Sequence, residues 1–157
     1  MSLRIRRLEN ERNMLQLAFA RHPHIRVRPM LGDPPEQYAV TYSINGLQRM
    51  PDGTLIIRTT HEIEVSLPSE YPRLPAACRM ITPVFHPNID VATVCTSDFH
   101  AAQETLVDLI VRVGQMIAFQ KHNVKSPLNA EAARWCEQNL ARLPVDRSDL
   151  HPVERSQ

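Results

Sequence analysis

Cys95 is the residue whose type and surroundings most clearly suggest chemistry. It lies in the polar stretch VATVCTSD. The thiolate is the reactive form of cysteine, so a nucleophilic cysteine has to be accessible rather than sealed in an apolar core. The other two cysteines have different surroundings: Cys78 lies in a strand-like run, and Cys136 lies in a helical pattern beside a tryptophan. Burial is the usual fate of cysteine in such places. Cys95 is therefore the candidate nucleophile.

The segment that precedes Cys95 is interrupted by residues that break regular structure. Tyr71-Pro72 opens it, a short strand-like run follows at 78–82, and the tripeptide His86-Pro87-Asn88 ends seven residues before the cysteine. Proline fixes φ and biases the residue before it towards an extended conformation. We therefore expect an irregular segment that brings an imidazole and an amide close in sequence to a thiol.

The order of these features resembles the catalytic core of the ubiquitin-conjugating enzymes. The shared elements are Tyr-Pro, a proline-rich turn, a strand, Thr-Pro-x-Phe-His-Pro-Asn, a short hairpin and the cysteine. The resemblance implies that Cys95 accepts a ubiquitin-like protein as a thioester and passes it to a lysine amine. It also implies that Asn88 steadies the hairpin and stabilises the oxyanion, and that His86, although part of the site, is chiefly structural.

Two further residues are candidates for assisting the acceptor amine. Ser126 falls where many members of the family place an acidic residue that desolvates or orients the incoming lysine. Asp98, three residues after Cys95, is an alternative for this role, although a solvated carboxylate is its default interpretation.

Arginines supply the candidate partner contacts. Arg4, Arg6 and Arg7 lie on the first predicted helix, and basic residues of this helix commonly dock the activating enzyme in the family; a solvated face is the equally weighted alternative. Arg73 replaces an apolar residue that contacts RING-type ligases. It is therefore the candidate ligase contact, but the change disfavours ordinary RING recognition.

Hydrophobic periodicity predicts the elements that would position these residues. A helix is expected over 2–20, capped by Ser2, with Leu8, Leu15, Ala18 and Phe19 on one face and Arg4, Arg7, Glu11 and Arg12 on others. Four extended segments follow at 25–28, 38–44, 57–67 and 78–82, with turns predicted at Asn45-Gly46 and Asp52-Gly53. Short links favour an antiparallel meander. A core helix is expected over 104–119 and another helix over 129–140.

This order predicts an α+β protein with the UBC-like fold: an N-terminal helix, a four-stranded meander, an irregular catalytic segment and two C-terminal helices. We expect a catalytic domain over 1–142 and a loose C-terminal tail over 143–157. The hairpin before Cys95 is one residue shorter than in the common eukaryotic pattern, and His100 stands where tryptophan is usual. These differences favour a divergent member, for which a bacterial origin is one option, with its own ubiquitin-like partner.

Composition excludes several other classes of protein. The 157 residues carry a formal net charge of +1, which favours neither nucleic acid nor an anionic membrane as partner. No apolar run approaches the roughly 20 residues of a membrane helix, and no secretory signal is visible, so a cytoplasmic location is expected. None of the four glycines begins a phosphate-binding loop. A separate activating enzyme must therefore energise the modifier, and no cofactor is expected.

The basic residues are unevenly divided, since 16 of the 18 are arginine and only Lys121 and Lys125 are lysine. A GC-rich genome is one explanation. The other is that an enzyme which transfers acyl groups to lysine benefits from carrying few lysines of its own.

Three other functions compete with this interpretation. The same fold serves as an inactive module that binds ubiquitin-like proteins, but such variants generally lack the cysteine. A cysteine hydrolase would need His86 or His100 held against Cys95 by an orienting group, and no such triad can be identified. A zinc site built from the same three residues matches no usual structural spacing.

Overall fold

The computed structural model describes residues 2–90, 93–94, 104–125 and 127–153. Its described elements are, in chain order, α1 (Leu3–Phe19), β1 (Ile25–Gly32), β2 (Pro35–Arg49), β3 (Leu55–Ser66), β4 (Ala77–Met80), β5 (Ile89–Asp90), β6 (Thr93–Val94), α2 (Leu106–Ile117), α3 (Ala130–Gln138) and a 3-10 helix (Leu140–Arg142). This arrangement confirms the predicted α+β fold, with a helix, a meander, an irregular segment and two later helices.

The sheet positions the irregular segment at one of its edges. β1 to β4 pair antiparallel with their neighbours in sequence, which confirms the predicted meander. Two short strands extend the sheet, giving the order β1-β2-β3-β4-β6-β5. Ile89 in β5 pairs with Val94 in β6. Asn88 therefore lies directly before β5, the outermost described strand. Val94, which precedes Cys95 in the chain, lies opposite Ile89, the residue after Asn88.

Gly46 lies in a strand and not in the turn that was predicted for it. The Asn45-Gly46 dipeptide lies inside β2 and not at a chain reversal, so the predicted turn is wrong. At this point the pairing with β3 shifts register, as in a β-bulge. A Cβ on Gly46 would lie 2.8 Å from the His61 ring and 2.9 Å from Ile117, so close packing demands the glycine. Asp52-Gly53 does form the predicted turn, between β2 and β3.

Helix α2 is the central element of the core. Thr105 and Asp108 form a capping box at its start, in which each side chain accepts a hydrogen bond from the other residue's backbone N–H. Every residue of α2 except Asp108 is buried. The hydroxyl of Tyr42 on β2 donates to the carbonyl oxygen of Ile110 at 2.7 Å. These contacts confirm the predicted core helix laid across the sheet.

A buried carboxylate joins α1 to the start of α2. Glu11 is only 2% exposed, although its charge led us to predict that it lies off the apolar face of the helix. It accepts hydrogen bonds from Nε of Arg7 at 3.1 Å, from the hydroxyl of Tyr71 at 3.3 Å and from the backbone N–H of Leu106 at 2.6 Å. The last of these places a negative charge at the N-terminus of α2, which favours the helix dipole. Glu11 is therefore a structural junction and not a surface residue.

Helix α3 closes a second, smaller core. Asn129, the first residue of the predicted helix, caps α3 by accepting a hydrogen bond from the N–H of Ala132 at 3.0 Å. The buried residues of this second core lie around Cys136 and are Leu47, Phe85, Phe119, Ala132 and Cys136. Because Phe85 is one of them, the second core holds the chain directly before His86.

The C-terminal segment packs against the body of the protein, so the prediction of a loose tail is wrong for its described part, residues 143–153. Leu150 is 1% exposed and belongs to the main core. A carboxylate oxygen of Asp146 accepts a hydrogen bond from the N–H of Asn45 at 2.8 Å. The amide of Gln120 donates to the carbonyl oxygens of Asp146 and Ser148. The burial of Leu150, the packing of Leu143 against the second core and a few hydrogen bonds thus hold an irregular segment in place.

We expect Leu150→Ala to destabilise the protein by about 2–5 kcal/mol, because it empties a fully buried site. Urea unfolding followed by circular dichroism measures the change. Val153→Ala is the matched control, since Val153 is 53% exposed, and it should change stability by less than about 0.5 kcal/mol. Equal stability of the two variants would contradict the packing of Leu150.

Candidate functional site

The tripeptide His86-Pro87-Asn88 forms the described centre of the site. The backbone N–H of Asn88 donates to Nδ1 of His86 at 3.0 Å. The carbonyl oxygen of Pro87 accepts from the N–H groups of Leu128 and Asn129, at 2.9 and 3.0 Å. The tripeptide is therefore bonded both to itself and to the loop that precedes α3.

His86 is completely buried, and both its ring nitrogens have partners. Nε2 lies 3.2 Å from the carbonyl oxygen of Lys121, so Nε2 carries the proton and Nδ1 accepts. The ring also packs against Phe119, with 4.9 Å between centroids. Burial lowers the pKa of His86 to about 3. A neutral ring with both nitrogens occupied supports a structural role and leaves no lone pair for a base beside Cys95.

The pKa of His86 predicts how stability depends on pH. An unfolded histidine titrates near 6.5, so the unfolded chain takes up this proton well before the folded one. The neutral ring therefore contributes stability above about pH 6.5 that is lost as pH falls towards 3. We expect the free energy of unfolding to fall by about 1.4 kcal/mol per pH unit from this proton. His86→Gln should make that slope shallower in urea titrations at pH 7, 6 and 5. If His86→Gln retained the wild-type slope, the proton uptake would not belong to His86.

Asn88 is held by a two-way hydrogen bond to the backbone of Asn123. Its Nδ2 donates to the carbonyl oxygen of Asn123 at 2.9 Å, and its Oδ1 accepts from the N–H of the same residue at 2.8 Å. The Asn88 side chain is nearly buried. Sequence reasoning did not find Asn123, because it acts here through its backbone and its side-chain type gives no signal. The amide orientation is thus fixed at both ends.

The amide of Asn88 retains hydrogen-bonding capacity. An asparagine Nδ2 has two N–H donors, and Asn123 takes one. Among the residues the structure describes, no other acceptor bonds to the second. One side chain can therefore hold the loop and still present a donor to a developing oxyanion.

Three of the predicted catalytic residues, Cys95, Asp98 and Ser126, lie outside the described residues. The chain leads directly to Cys95 from Val94, which pairs with Ile89, the neighbour of Asn88. The structure thus brings His86 and Asn88 together beside a strand whose last described residue, Val94, precedes the predicted nucleophile in the chain.

The remaining cysteines are unsuited to nucleophilic work. Cys78 and Cys136 are both buried, as predicted. Burial raises the pKa of the Cys78 thiol to about 12 and that of the Cys136 thiol to about 11. At neutral pH both are therefore protonated and inert, which leaves Cys95 as the candidate.

A groove of about 450 Å³ runs beside Asn88. The end of α2 and the loop after it form its walls, and its described lining residues are Asn88, Arg112, Met116, Gln120, Lys121, His122 and Asn123. Arg112 pairs with Glu104, with two nitrogens within 3.1 Å of the same carboxylate oxygen. In the described ranges no group of three or more histidine, cysteine, aspartate or glutamate side chains could hold a metal ion.

The predicted partner residues are placed differently from one another. Arg6 and Arg73 are exposed, and Arg4 pairs with Glu36 at the surface. Arg7 turns inward, where its guanidinium bonds Glu11 and lies 5.3 Å from the centre of the Tyr71 ring. Of the four, Arg6 and Arg73 are thus exposed, Arg4 is half-buried in a surface ion pair, and Arg7 is committed to the interior.

Comparison with known proteins agrees with the fold. The α+β fold with a His-Pro-Asn turn beside the last strands defines a protein of the ubiquitin-conjugating class. A model of the family "Ubiquitin-conjugating enzyme" matches residues 13–144. The chain therefore belongs to the ubiquitin-conjugating enzyme family.

A curated relative covers a smaller part of the chain. "Ubiquitin-conjugating enzyme E2-24 kDa" of Saccharomyces cerevisiae is 36% identical over 75 residues, which is 45% of this chain and 34% of that protein. The match thus spans about a third of the length of this relative. None of the described helices is long and apolar enough to cross a membrane.

Proposed function

We propose that the protein carries a ubiquitin-like modifier as a thioester on Cys95 and transfers it to a lysine amine. The family supports conjugation as the general activity. The observation that supports the thioester mechanism is the position of the Asn88 side-chain amide, which two hydrogen bonds to Asn123 hold in place. The residue after Asn88, Ile89, pairs with Val94, the residue before Cys95. The other two cysteines are buried with raised pKa values, so Cys95 is the thiol suited to the reaction.

The reaction comprises two acyl transfers. In the first, the Cys95 thiolate attacks the thioester carbonyl presented by the activating enzyme; a new C–S bond forms and the donor thiol leaves. In the second, a neutral amine attacks the Cys95 thioester, a C–N bond forms, the C–S bond breaks with Cys95 leaving as thiolate, and the proton lost by the amine passes to water. Attack by the amine creates a tetrahedral oxyanion, which the second N–H of Asn88 is suited to stabilise.

The partners follow from this chemistry. The chain requires a ubiquitin-like protein, an activating enzyme and a lysine acceptor, and we place these reactions in the cytoplasm. Arg4 and Arg6 are proposed to contact the activating enzyme, and the exposed Arg73 a ligase. Ser126 and Asp98 are proposed to orient the acceptor amine. Arg7 is assigned to the α1–α2 junction instead.

The thioester can be tested by intact mass under non-reducing conditions. Wild type, Cys95→Ala, Cys78→Ala and Cys136→Ala are each incubated with the activating enzyme, ATP and the ubiquitin-like protein of the same genome. We expect an adduct of the modifier's mass that a thiol reductant removes and that only Cys95→Ala lacks. No adduct in wild type, with a charged activating enzyme present, would support an inactive binding module instead.

The role of Asn88 can be separated from loading. We expect Asn88→Ala to form the thioester but to discharge it to free lysine about 100- to 1,000-fold more slowly, because an oxyanion donor is lost. Discharge is followed from purified thioester after ATP removal. Hydrogen exchange at the amide of Asn123 reports the structural role independently, and it should accelerate in the same variant. An unchanged discharge rate would assign Asn88 to structure alone.

A further inference from the structure

A cavity of about 510 Å³ lies between the second half of α1 and the strand β1, and we call it the α1–β1 cavity. Its volume falls within the range of about 300–1,000 Å³ that is typical of small-molecule sites. Apolar side chains form much of its wall, among them Leu15, Phe19, Val27 and Pro29. β1 and β5 are the two edges of the described sheet, so this cavity is separate from the groove at Asn88.

The hydroxyl of Tyr38 is a buried polar group with no hydrogen-bond partner among the described residues. Tyr38 is 2% exposed and lines the α1–β1 cavity. The other two tyrosines of the chain are satisfied, since the hydroxyl of Tyr42 donates to the carbonyl oxygen of Ile110 and that of Tyr71 to the carboxylate of Glu11. A buried hydroxyl without a partner loses its hydration and gains nothing in return. An acceptor brought into the cavity by a ligand is therefore what Tyr38 lacks.

The charged side chains that line the α1–β1 cavity are positive. They are Arg12 and Arg26, and no aspartate or glutamate is among its described lining residues. Arg12 forms one contact of 3.3 Å with the highly exposed Asp33, and an exposed pair of this kind is weak. A guanidinium has five N–H donors, so most of those of Arg12 remain for another acceptor. The cavity thus combines an apolar wall with positive charge.

The charge of Arg12 acts at the Tyr38 hydroxyl. Burial raises the pKa of Tyr38 to about 12; the Arg12 charge opposes this rise, and that of Glu11 adds to it. Glu11 does not line the cavity, and its carboxylate is already bonded to Arg7, Tyr71 and the start of α2. Arg12 and Tyr38 are therefore two neighbouring donors that can meet the same acceptor.

We propose that the α1–β1 cavity binds a small organic anion with an apolar body, of the class of the medium-chain carboxylates. The acid group accepts hydrogen bonds from the Arg12 guanidinium and the Tyr38 hydroxyl, and Arg26 adds a second positive charge. The apolar body packs against the wall of the cavity. An organic cation meets two like charges there, and a molecule without an acid group leaves the guanidinium without a charged partner. This binding involves neither Cys95 nor the transfer reaction.

The test is a titration of the full chain with octanoate, followed by NMR of the backbone amides and by calorimetry. We expect saturable binding with the largest shifts at Leu15, Phe19 and Val27. Octan-1-ol and octylammonium keep the apolar tail but lack the acid group. They should bind at least about ten-fold more weakly, because they lose the hydrogen bonds between the carboxylate and the guanidinium.

Tyr38→Phe separates binding from stability. The variant keeps the ring and removes a hydroxyl that has no described partner in the unliganded protein. We therefore expect it to unfold in urea like wild type but to bind octanoate about ten-fold more weakly. Tyr42→Phe is the matched control, because it removes a hydroxyl that is already bonded. It should be less stable than wild type and bind octanoate equally well.

A second pair of variants tests the charge. Arg12→Gln removes a guanidinium that lines the cavity, and we expect it to weaken octanoate binding about ten-fold or more. Arg28 is exposed on β1 and is not among the described lining residues. Arg28→Gln removes the same charge from the protein as a whole, so it should bind octanoate like wild type.

Three results would overturn the proposal. Absence of saturable shifts up to about 10 mM octanoate would mean that the cavity takes no organic anion. Equal binding of octylammonium or octan-1-ol would make it an apolar groove without preference for an acid. Undiminished octanoate binding in either Tyr38→Phe or Arg12→Gln would remove one of the two donors on which the proposal rests. Thioester formation on Cys95 is measured separately, and none of these results bears on it.

Discussion

The buried carboxylate of Glu11 is the interaction on which the arrangement of this protein depends. It joins α1, the Tyr71 turn and the first N–H of α2 at one point. Hydrogen bonds to charged groups contribute about 1.5–3 kcal/mol each, so the junction defines where α2 begins. Helix α2 is a rigid element buried along nearly its whole length, so the position of its first turn also fixes the position of its last turn. The loop that carries both lysines begins at that end.

The end of α2 connects the core to the site. Phe119 adopts a left-handed backbone conformation with φ of 58°, which costs a residue other than glycine about 1–2 kcal/mol. Its ring is buried in the second core and lies against His86. This packing offsets the strain, and the chain leaves α2 in the direction that brings Lys121 and Asn123 to the His-Pro-Asn segment. The geometry of Asn88 is thus determined by packing between elements distant in sequence.

Periodic patterns predicted the helices and the meander because the burial of one face is repeated along each element. The three errors lie where the structure depends on a single non-local contact. Asn45-Gly46 has the composition of a turn, but a bulge against His61 requires glycine equally. Glu11 belongs by spacing to the face of Leu8 and Leu15, but its charge suggested solvent. Leu150 stands alone among polar residues, so no period could indicate that it enters the core.

For the candidate site, the sequence predicted which residues belong to it but not how they are bonded. His86 and Asn88 were identified by resemblance, since an imidazole and an amide near a thiol suit several chemistries. Their bonding could not be predicted, because each is anchored to main-chain atoms of a loop about 35 residues away, at Lys121 and Asn123. Backbone partners leave no trace in residue types. The same feature makes the anchor independent of the loop's side chains, so residues 121 to 125 can change without loss of the amide that the proposed transfer requires.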